Sequence, residues 1–354
     1  MKKNILAGIF VVLVFGSALS AVNTRDIDVI REKGVLDSSD FAVIDSFIAE
    51  SINELLAAVD FSTLSNVRNF IVSRTEAKSG DQYKNSFSDS LNKYIPDAFE
   101  KAKSLKPEKN SVAMTSNLLM LVEALQDMKL TDYAMQYLKS ENEVIRYWAV
   151  KCVTNQFMVD NFNSSSEPIF AAKATKLLKD LIVKGDGDSL AAIVGFSSRI
   201  KSTAGNEMLL AIAERRIGEY AEWKVDNEII DADLLNSLFD VYSRDTTKKI
   251  YVQKYAQLFA YIMQRYIKGQ AILTDKQKSD LASVMIEIEQ SSMVKVLGIS
   301  QSIIKTAIEN GNLDALGKEY ARLFDVDGQK GELATKMQFD YSPGGAKPLE
   351  LKAK

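Results

Sequence analysis

The stretch SENEVIRYWAVKCV, Ser140 to Val153, contains the only cysteine of the chain and one of its two tryptophans. On a helix that begins near Asn142, its apolar side chains fall in two adjacent rows that cover about half of the helix circumference. The rows consist of Val144, Trp148 and Cys152, and of Ile145, Ala149 and Val153. A helix with so wide an apolar face is predicted to lie between neighbours on two sides, as an inner member of a stack of helices.

The same helical spacing of apolar residues recurs along the chain. Three further runs step by three or four residues, namely Phe41, Ile44, Ile48, Ile52, Leu55 and Val59, then Leu118, Leu121, Leu125 and Met128, then Leu281, Val284, Met285 and Ile288. Strict alternation, the pattern of a strand, is scarce, and no proline occurs from Ile169 to Ser342. The sequence therefore predicts an all-α fold whose short connections make successive helices antiparallel neighbours. The predicted helices include 62–78, 142–157, 168–184, 230–243 and 274–295, and a polar loop is predicted over 161–167.

The opening stretch and the residues around it resemble a known repeat. In chain order they show a leucine, a polar turn, an Ile-Arg pair, an alanine and a closing apolar pair. These residues are Leu138, Ser140 to Glu143, Ile145-Arg146, Ala149 and Cys152-Val153. Over residues 115–156 this order resembles the HEAT repeat, in which a valine-arginine pair and an alanine begin the second helix. The resemblance implies an α-solenoid, a right-handed stack of helix pairs in which each pair contacts only its neighbours.

Breaks in composition suggest how the chain is divided. A Lys-Pro pair at 106–107 interrupts the helical pattern, and the pattern ends after Asp327 in a segment with two of the five prolines. We expect a mobile C-terminal tail there, within which Met337, Phe339 and Tyr341 could dock locally. The predicted parts are a signal peptide at 1–20, an N-terminal helical region at 21–106, a HEAT-like array at 107–326 and the tail at 327–354.

The N-terminus has the order of a secretory signal peptide. Lys2 and Lys3 precede an apolar run from Ile5 to Phe15, and small residues follow. This order predicts cleavage that leaves Ala21 or Val22 first, and export to the periplasm or the outside of a bacterial cell. A retained membrane anchor is the alternative, because the apolar run approaches the length of about 17 residues that a spanning helix needs. After cleavage we expect no stable membrane insertion.

Charge and composition exclude several classes of function. Lysine and arginine total 44 against 47 aspartates and glutamates, so the formal net charge is -3. This balance argues against a nucleic-acid binder, which needs a basic face. The chain contains no histidine, which excludes Ser-His and Cys-His nucleophilic sites and histidine-ligated metals. Carboxylate or lysine catalysis, oxygen-ligand cation sites and binding without chemistry remain open.

None of the short motifs that resemble catalytic or metal sites is complete. S-x-x-K matches include those that begin at Ser90, Ser292 and Ser302, but the accompanying S-D-N and K-T-G elements are absent. Two stretches that resemble calcium loops, at 184–189 and 325–328, lack the glycine and glutamate of the EF-hand template. Carboxylate pairs occur at 231/233, 287/289 and 325/327, two of them near helix ends, where acids favour the helix dipole. We therefore predict no catalytic residue, no metal and no cofactor.

Two groups of residues remain as candidate sites. The first is a structural seam between stacked helices, made of Ile145, Arg146, Trp148, Ala149 and Cys152, with Cys152 as a packed thiol and Arg146 bridging to the acidic turn of an adjacent repeat. The second is an aromatic stripe, made of Tyr251, Tyr255, Phe259 and Tyr266. Its spacing favours core packing, and the alternative is a groove that receives a partner helix or a sugar ring.

These observations favour an exported helical-repeat scaffold that binds a protein partner without catalysis. One alternative is an exported helical enzyme that uses carboxylates on glycans, and it requires a deep pocket with two carboxylates within about 10 Å. Another alternative is a structural component that assembles with copies of itself.

Overall fold

The computed structural model describes residues 22, 24–58, 60–185, 187–326, 329–341 and 351. The predicted signal peptide, 1–20, lies outside the described residues. The chain divides into two compact units, the first ending at Leu121 and the second beginning at Val122. The sequence places this division at 106–107, whereas the structure places it within a helix.

The first unit is a group of helices centred on one long pair that runs parallel, since contacts join the start of one helix to the start of the other. Its elements are α1 (Thr24–Arg31), α2 (Ser38–Ala57), α3 (Phe61–Val72), α4 (Asp81–Lys103) and most of α5 (Glu108–Leu125). Helix α2 packs along α4, and both α1 and α3 contact α2. Asp37 caps the N-terminus of α2, because its side chain accepts hydrogen bonds from the backbone N–H groups of Ser39 and Asp40. Phe47 and Phe87 are buried where α2 meets α4, with their ring centroids 6.3 Å apart.

The second unit is a longer series of helices. It contains α6 (Met128–Ala134), a 3-10 helix (Met135–Lys139), α7 (Glu143–Thr154), α8 (Gln156–Ser164), α9 (Pro168–Lys184), α10 (Gly187–Arg199), α11 (Thr203–Ala221), α12 (Ile230–Arg244), α13 (Lys249–Lys268), α14 (Asp275–Gln290), α15 (Ser292–Leu297), α16 (Ile303–Glu309), α17 (Leu313–Phe324) and α18 (Glu332–Met337). Two short strands, β1 (Asp325–Val326) and β2 (Gln329–Lys330), pair antiparallel between α17 and α18.

The helices of the second unit pack as helical repeats do. Helices α9 to α12 each contact the helix two positions further along, so that α9 meets α11, α10 meets α12, α11 meets α13 and α12 meets α14. Neighbours in sequence also pack, as α10 does with α11 and α12 with α13. Such contacts place alternate helices in two layers around a continuous core. The prediction of an all-α fold built from adjacent helix pairs is confirmed.

Helix α7, which contains the opening stretch, begins at a side-chain cap. Asn142 Oδ1 accepts hydrogen bonds from the backbone N–H groups of Val144 at 3.1 Å and Ile145 at 3.2 Å. The predicted apolar face is correct toward its C-terminal end, where Ala149, Cys152 and Val153 are fully buried, but wrong at its start, where Val144 is 52% exposed. Val150, which lies outside the predicted face, is also fully buried. The 3-10 helix and α10 both pack on α7.

Several helix ends differ from their predicted positions, and at two of them the helix breaks although the apolar spacing continues. Helix α3 ends at Val72, six residues before its predicted end at 78. Asn155 separates α7 from α8, and its Oδ1 accepts a hydrogen bond from the backbone N–H of Met158 at 3.0 Å. Helix α8 therefore occupies part of the predicted polar loop. Ser291 adopts φ -111° and ψ -95° and breaks the predicted helix 274–295 in two.

The C-terminal segment is partly packed, which differs from the predicted mobile tail over residues 329–341. Met337, Phe339 and Tyr341 are buried there, as the apolar pattern allows. The hydroxyl of Tyr242 donates to the carbonyl oxygen of Met337 at 3.0 Å, and Lys249 Nζ donates to the same oxygen at 3.0 Å. This part of the chain therefore belongs to the second unit. Across the described ranges, no helix combines the length and the apolar character needed to cross a membrane.

Candidate functional site

The predicted structural seam is divided between the interior and the surface. Ala149 and Cys152 are fully buried, whereas Ile145, Arg146 and Trp148 are half-buried. Burial raises the pKa of the Cys152 thiol far above its ordinary value, so the thiolate needed for nucleophilic chemistry does not form near neutral pH. Cys152 is therefore a packing residue of α7.

Arg146 binds the turn that precedes its own helix. Its Nη1 donates to the backbone carbonyl oxygens of Ser140 at 2.9 Å and Glu141 at 3.4 Å. These carbonyls belong to the turn that precedes α7, so the arginine fixes that turn. The bridge from Arg146 to an adjacent repeat stays a prediction.

Two surface clefts lie along α9 and share Asp180. The first has a volume of about 720 Å³ and lies between the end of α9 and the turn that Arg146 fixes. The second has a volume of about 670 Å³ and lies between the start of α9 and the neighbouring ends of α8 and α11. Helix α9 also exposes Ile169 (86%) and Val183 (73%). We call the two clefts together with Ile169 and Val183 the α9 surface.

The α9 surface combines apolar walls with an excess of basic side chains. Its basic residues are Lys139, Arg146, Lys176, Lys179 and Lys184, and its acidic residues are Glu141 and Asp180. Apolar atoms of Leu177, Leu181 and Val183 line the first cleft, and those of Phe162, Pro168 and Ala172 line the second. This surface is locally basic although the chain as a whole is acidic.

The aromatic stripe is core and not a groove for most of its length. Tyr255 and Phe259 are fully buried, Tyr251 is nearly so, and Tyr266 is half-buried. The hydroxyl of Tyr255 shares a hydrogen bond of 2.9 Å with Ser292 Oγ. The alternative of a partner-binding or sugar-binding groove is therefore wrong for Tyr251, Tyr255 and Phe259, because α11, α12, α14 and α17 enclose α13.

A buried ion pair that the sequence analysis did not identify joins α11 to α12. Arg216 and Asp231 are both fully buried, and the guanidinium holds both carboxylate oxygens, with Nε–Oδ1 at 2.8 Å and Nη2–Oδ2 at 2.9 Å. Tyr220 donates its hydroxyl to Asp231 Oδ2 at 2.7 Å, and Arg216 Nη1 donates to Glu219 Oε2 at 2.9 Å. Burial lowers the pKa of Arg216, but Asp231, Tyr220 and Glu219 together raise it by more, so the guanidinium stays charged.

A second buried arginine extends this cluster to α13. Arg265 Nη2 donates to Glu228 Oε1 at 3.2 Å and to the carbonyl oxygen of Val225 at 3.3 Å. Its guanidinium carbon lies 5.4 Å from the centroid of a Trp223 ring, within the range of a cation–π contact. Together the two arginines hold the connection between α11 and α12, in which Trp223 and Asn227 adopt positive φ values of 60° and 47°.

A signal for the buried arginine is present in the sequence. The buried residues of α11 step by three or four, and Arg216 takes one of these positions between Ala213 and Tyr220. A charge in an apolar stripe indicates a partner elsewhere in the fold. Asp231 gave no such signal, because the helix dipole alone accounts for an acid in the first turn of α12.

The carboxylates with raised pKa values do not form a catalytic pair. Burial raises the pKa of Glu228 and of Glu289, and the charge of Glu319 contributes for Glu289. Glu289 accepts the backbone N–H groups of Ile304 at 2.7 Å and Lys305 at 2.8 Å, which caps α16. Glu228 is bound to Arg265. Both groups thus stabilise helix ends and connections, and neither lines a cleft of the α9 surface.

The incomplete S-x-x-K motifs have structural partners. Ser90 Oγ donates to Asp45 Oδ1 at 3.0 Å, and Lys93 Nζ donates to Asp45 Oδ2 at 3.0 Å. Ser292 bonds with Tyr255, as described above. In the described part of the chain, no group of three or more cysteine, aspartate or glutamate side chains is arranged to hold a metal ion.

Truncation of Trp148 tests the seam. We expect Trp148→Ala to lower the free energy of unfolding by about 2 kcal/mol, less than the 3 to 5 kcal/mol typical of a fully buried tryptophan, because the indole is half-buried. Urea unfolding measures the loss, and Val144→Ala, which truncates an exposed side chain of the same helix, should change it by less than about 0.5 kcal/mol.

The damage caused by Trp148→Ala should be local. Hydrogen exchange is expected to accelerate in the 3-10 helix, α7 and α10, which pack on one another, while α13 and α14 keep their protection. If hydrogen exchange accelerated equally in all helices of the second unit, the stability of that unit would not be a sum of contacts between neighbouring helices.

The fold and these sites define the class as an all-helical chain whose second unit packs like a helical repeat. No protein family matches the chain, and a comparison with curated proteins finds no match. Among solved structures, the crystal structure of an engineered protein from the Northeast Structural Genomics Consortium is similar over 88% of this chain and 92% of its own, with 13% identity and a TM-score of 0.26. At that level the likeness carries no argument about family or function.

Proposed function

We propose that this protein is an exported helical scaffold that binds a protein partner through the α9 surface, without catalysis. The observation that carries the proposal is the presence of two adjoining clefts on one helix, with large apolar side chains exposed beside them. Exposed apolar side chains clustered at clefts are typical of interaction surfaces. The helical-repeat-like packing of the second unit supports the same function, since helical repeats present extended surfaces to partners.

The charges of the α9 surface favour one kind of partner segment. Basic side chains surround apolar walls, so the complementary ligand is a segment with apolar anchors flanked by aspartate or glutamate. An amphipathic helix meets this description, because it presents apolar side chains at every third or fourth position and acids beside them. We therefore propose an acidic amphipathic segment of another protein as the occupant.

Site-specific photo-crosslinking in the producing cells tests the proposed function. A photoreactive phenylalanine analogue at position 169 or 183 should form the same adduct, and one at Ile299, which is 57% exposed on another part of the second unit, should not. The captured protein is then purified and titrated against the scaffold. We expect the double variant Ile169→Asp and Val183→Asp to weaken binding at least about tenfold, with Ile299→Asp unchanged.

Three results would oppose this proposal. Equal adducts from position 299, or unchanged affinity of the double variant, would remove the α9 surface as the binding site. An adduct that contains only a second copy of this chain would instead favour the self-assembling structural component.

A further inference from the structure

A separate cleft in the first unit has the composition of a binding site for a small polar ligand. It has a volume of about 520 Å³ and lies between α2 and α4. Polar residues of α4 recur along it at every third or fourth position, and α2 contributes Phe41 and Asp45. A polar stripe on the outer side of an otherwise apolar helix pair contributes little to the core.

Phe41 gives this cleft a flat apolar wall. The side chain lies in the first turn of α2 and is 39% exposed, so one part of the ring packs and the other remains accessible. Aromatic faces carry partial negative charge, and the C–H groups on the apolar face of a sugar ring carry partial positive charge. A pyranose ring can therefore stack on an exposed phenylalanine while its hydroxyl groups point to polar neighbours.

Two polar side chains of the cleft, Asp45 and Gln82, are held in fixed positions. Asp45 accepts hydrogen bonds from Ser90 Oγ, from Lys93 Nζ and from the Tyr94 hydroxyl at 2.8 Å. Burial opposes ionisation of Asp45, yet these three donors hold its pKa below the ordinary value. Gln82 Oε1 accepts the backbone N–H of Leu36 at 3.2 Å, which fixes the amide and leaves its NH₂ group as the donor for a ligand.

Donors and acceptors are balanced in this cleft, and that balance selects the ligand class. Asn85 and Gln82 supply amide donors, Asp89 supplies carboxylate acceptors, and Ser86 supplies a hydroxyl that does both. Neighbouring hydroxyl groups of a sugar both donate and accept, so they match such a mixture. The negative charge of Asp45 is already offset by Lys93, and Asp89 disfavours an anionic ligand.

We propose that the cleft between α2 and α4 binds a neutral saccharide, with a pyranose ring stacked on Phe41 and its hydroxyl groups bonded to the polar stripe of α4. This site is independent of the α9 surface, so either proposal can fail without the other. Binding in a shallow cleft of this size is expected to be weak, with a dissociation constant on the order of 1 mM.

Ligand-detected NMR on the purified full chain tests the proposal. The probes are cellotriose, maltotriose, mannotriose and chitotriose, with glucuronic acid and tetramethylammonium as charged probes. We expect at least one neutral trisaccharide to bind, and Phe41→Leu to weaken its binding about tenfold while Phe41→Tyr retains it. Asn85→Ala should also weaken binding.

Phe70→Leu is the matched control, because Phe70 belongs to the same unit and is also 39% exposed. It should leave binding unchanged, and melting curves of every variant confirm that the first unit remains folded. The proposal is overturned if none of the four trisaccharides binds, if Phe41→Leu and Phe70→Leu have equal effects, or if tetramethylammonium or glucuronic acid binds more tightly than the neutral probes.

Discussion

Replacement of Asp231 by alanine is expected to lower the free energy of unfolding by about 3 to 5 kcal/mol, the range typical of removing one partner from a buried ion pair. The substitution leaves the Arg216 guanidinium fully buried without the carboxylate that holds two of its nitrogen atoms. It also removes the acceptor of the Tyr220 hydroxyl. Glu219 still accepts a hydrogen bond from Arg216 Nη1, but this single contact does not make up for the two that Asp231 provided.

Two controls separate the buried charge from other effects of this substitution. Asp226→Ala removes a carboxylate whose side chain is 75% exposed and lies 3.9 Å from Arg216 Nη1, and it should cost less than about 0.5 kcal/mol. Tyr220→Phe removes one hydrogen bond and should cost about 1 kcal/mol. Urea unfolding followed by circular dichroism gives all three values. An Asp231→Ala variant as stable as Asp226→Ala would show that the pair is open to water.

The array could be predicted from sequence because periodicity is a local property. Helix α9 and helix α12 begin and end within one or two residues of their predicted positions, since their apolar spacing and flanking breakers depend only on nearby residues. The breaks at Asn155 and Ser291 were missed for a physical reason. Each lies inside a run that keeps helical spacing, and the side-chain cap at Asn155 is decided by hydrogen bonds that the spacing does not reveal.

The sites were less predictable than the helices because they depend on contacts between distant segments. The cleft between α2 and α4 joins Asp45 to Lys93, which are 48 positions apart, and neither residue is unusual in its own segment. Arg265 and Glu228 are 37 positions apart. For the aromatic stripe, the spacing showed correctly that the side chains share one face of α13, but only the packing of the surrounding helices shows that this face is enclosed.

Phe259→Ala has the second largest expected effect and tests whether the stripe is core. The ring is fully buried, and its centroid lies 6.2 Å from that of Tyr255 and 6.0 Å from that of Phe324 on α17. We expect a loss of about 3 to 5 kcal/mol in the free energy of unfolding, which combines lost burial with the cavity left behind. Urea unfolding measures this loss.

Tyr266→Ala is the matched control on the same helix. Its side chain is half-buried, so the substitution should cost about 1 kcal/mol, near the centre of the distribution for point mutants. In hydrogen exchange, Phe259→Ala should expose α13 and α17 together, because the two rings join these helices, while α9 keeps its protection. If Phe259→Ala were as mild as Tyr266→Ala, the ring would have to be accessible to water, and the stripe would again be a candidate groove. A large loss for Phe259 alone, with binding at the α9 surface intact, would establish that α13 is the centre of the second unit and that partner recognition takes place elsewhere.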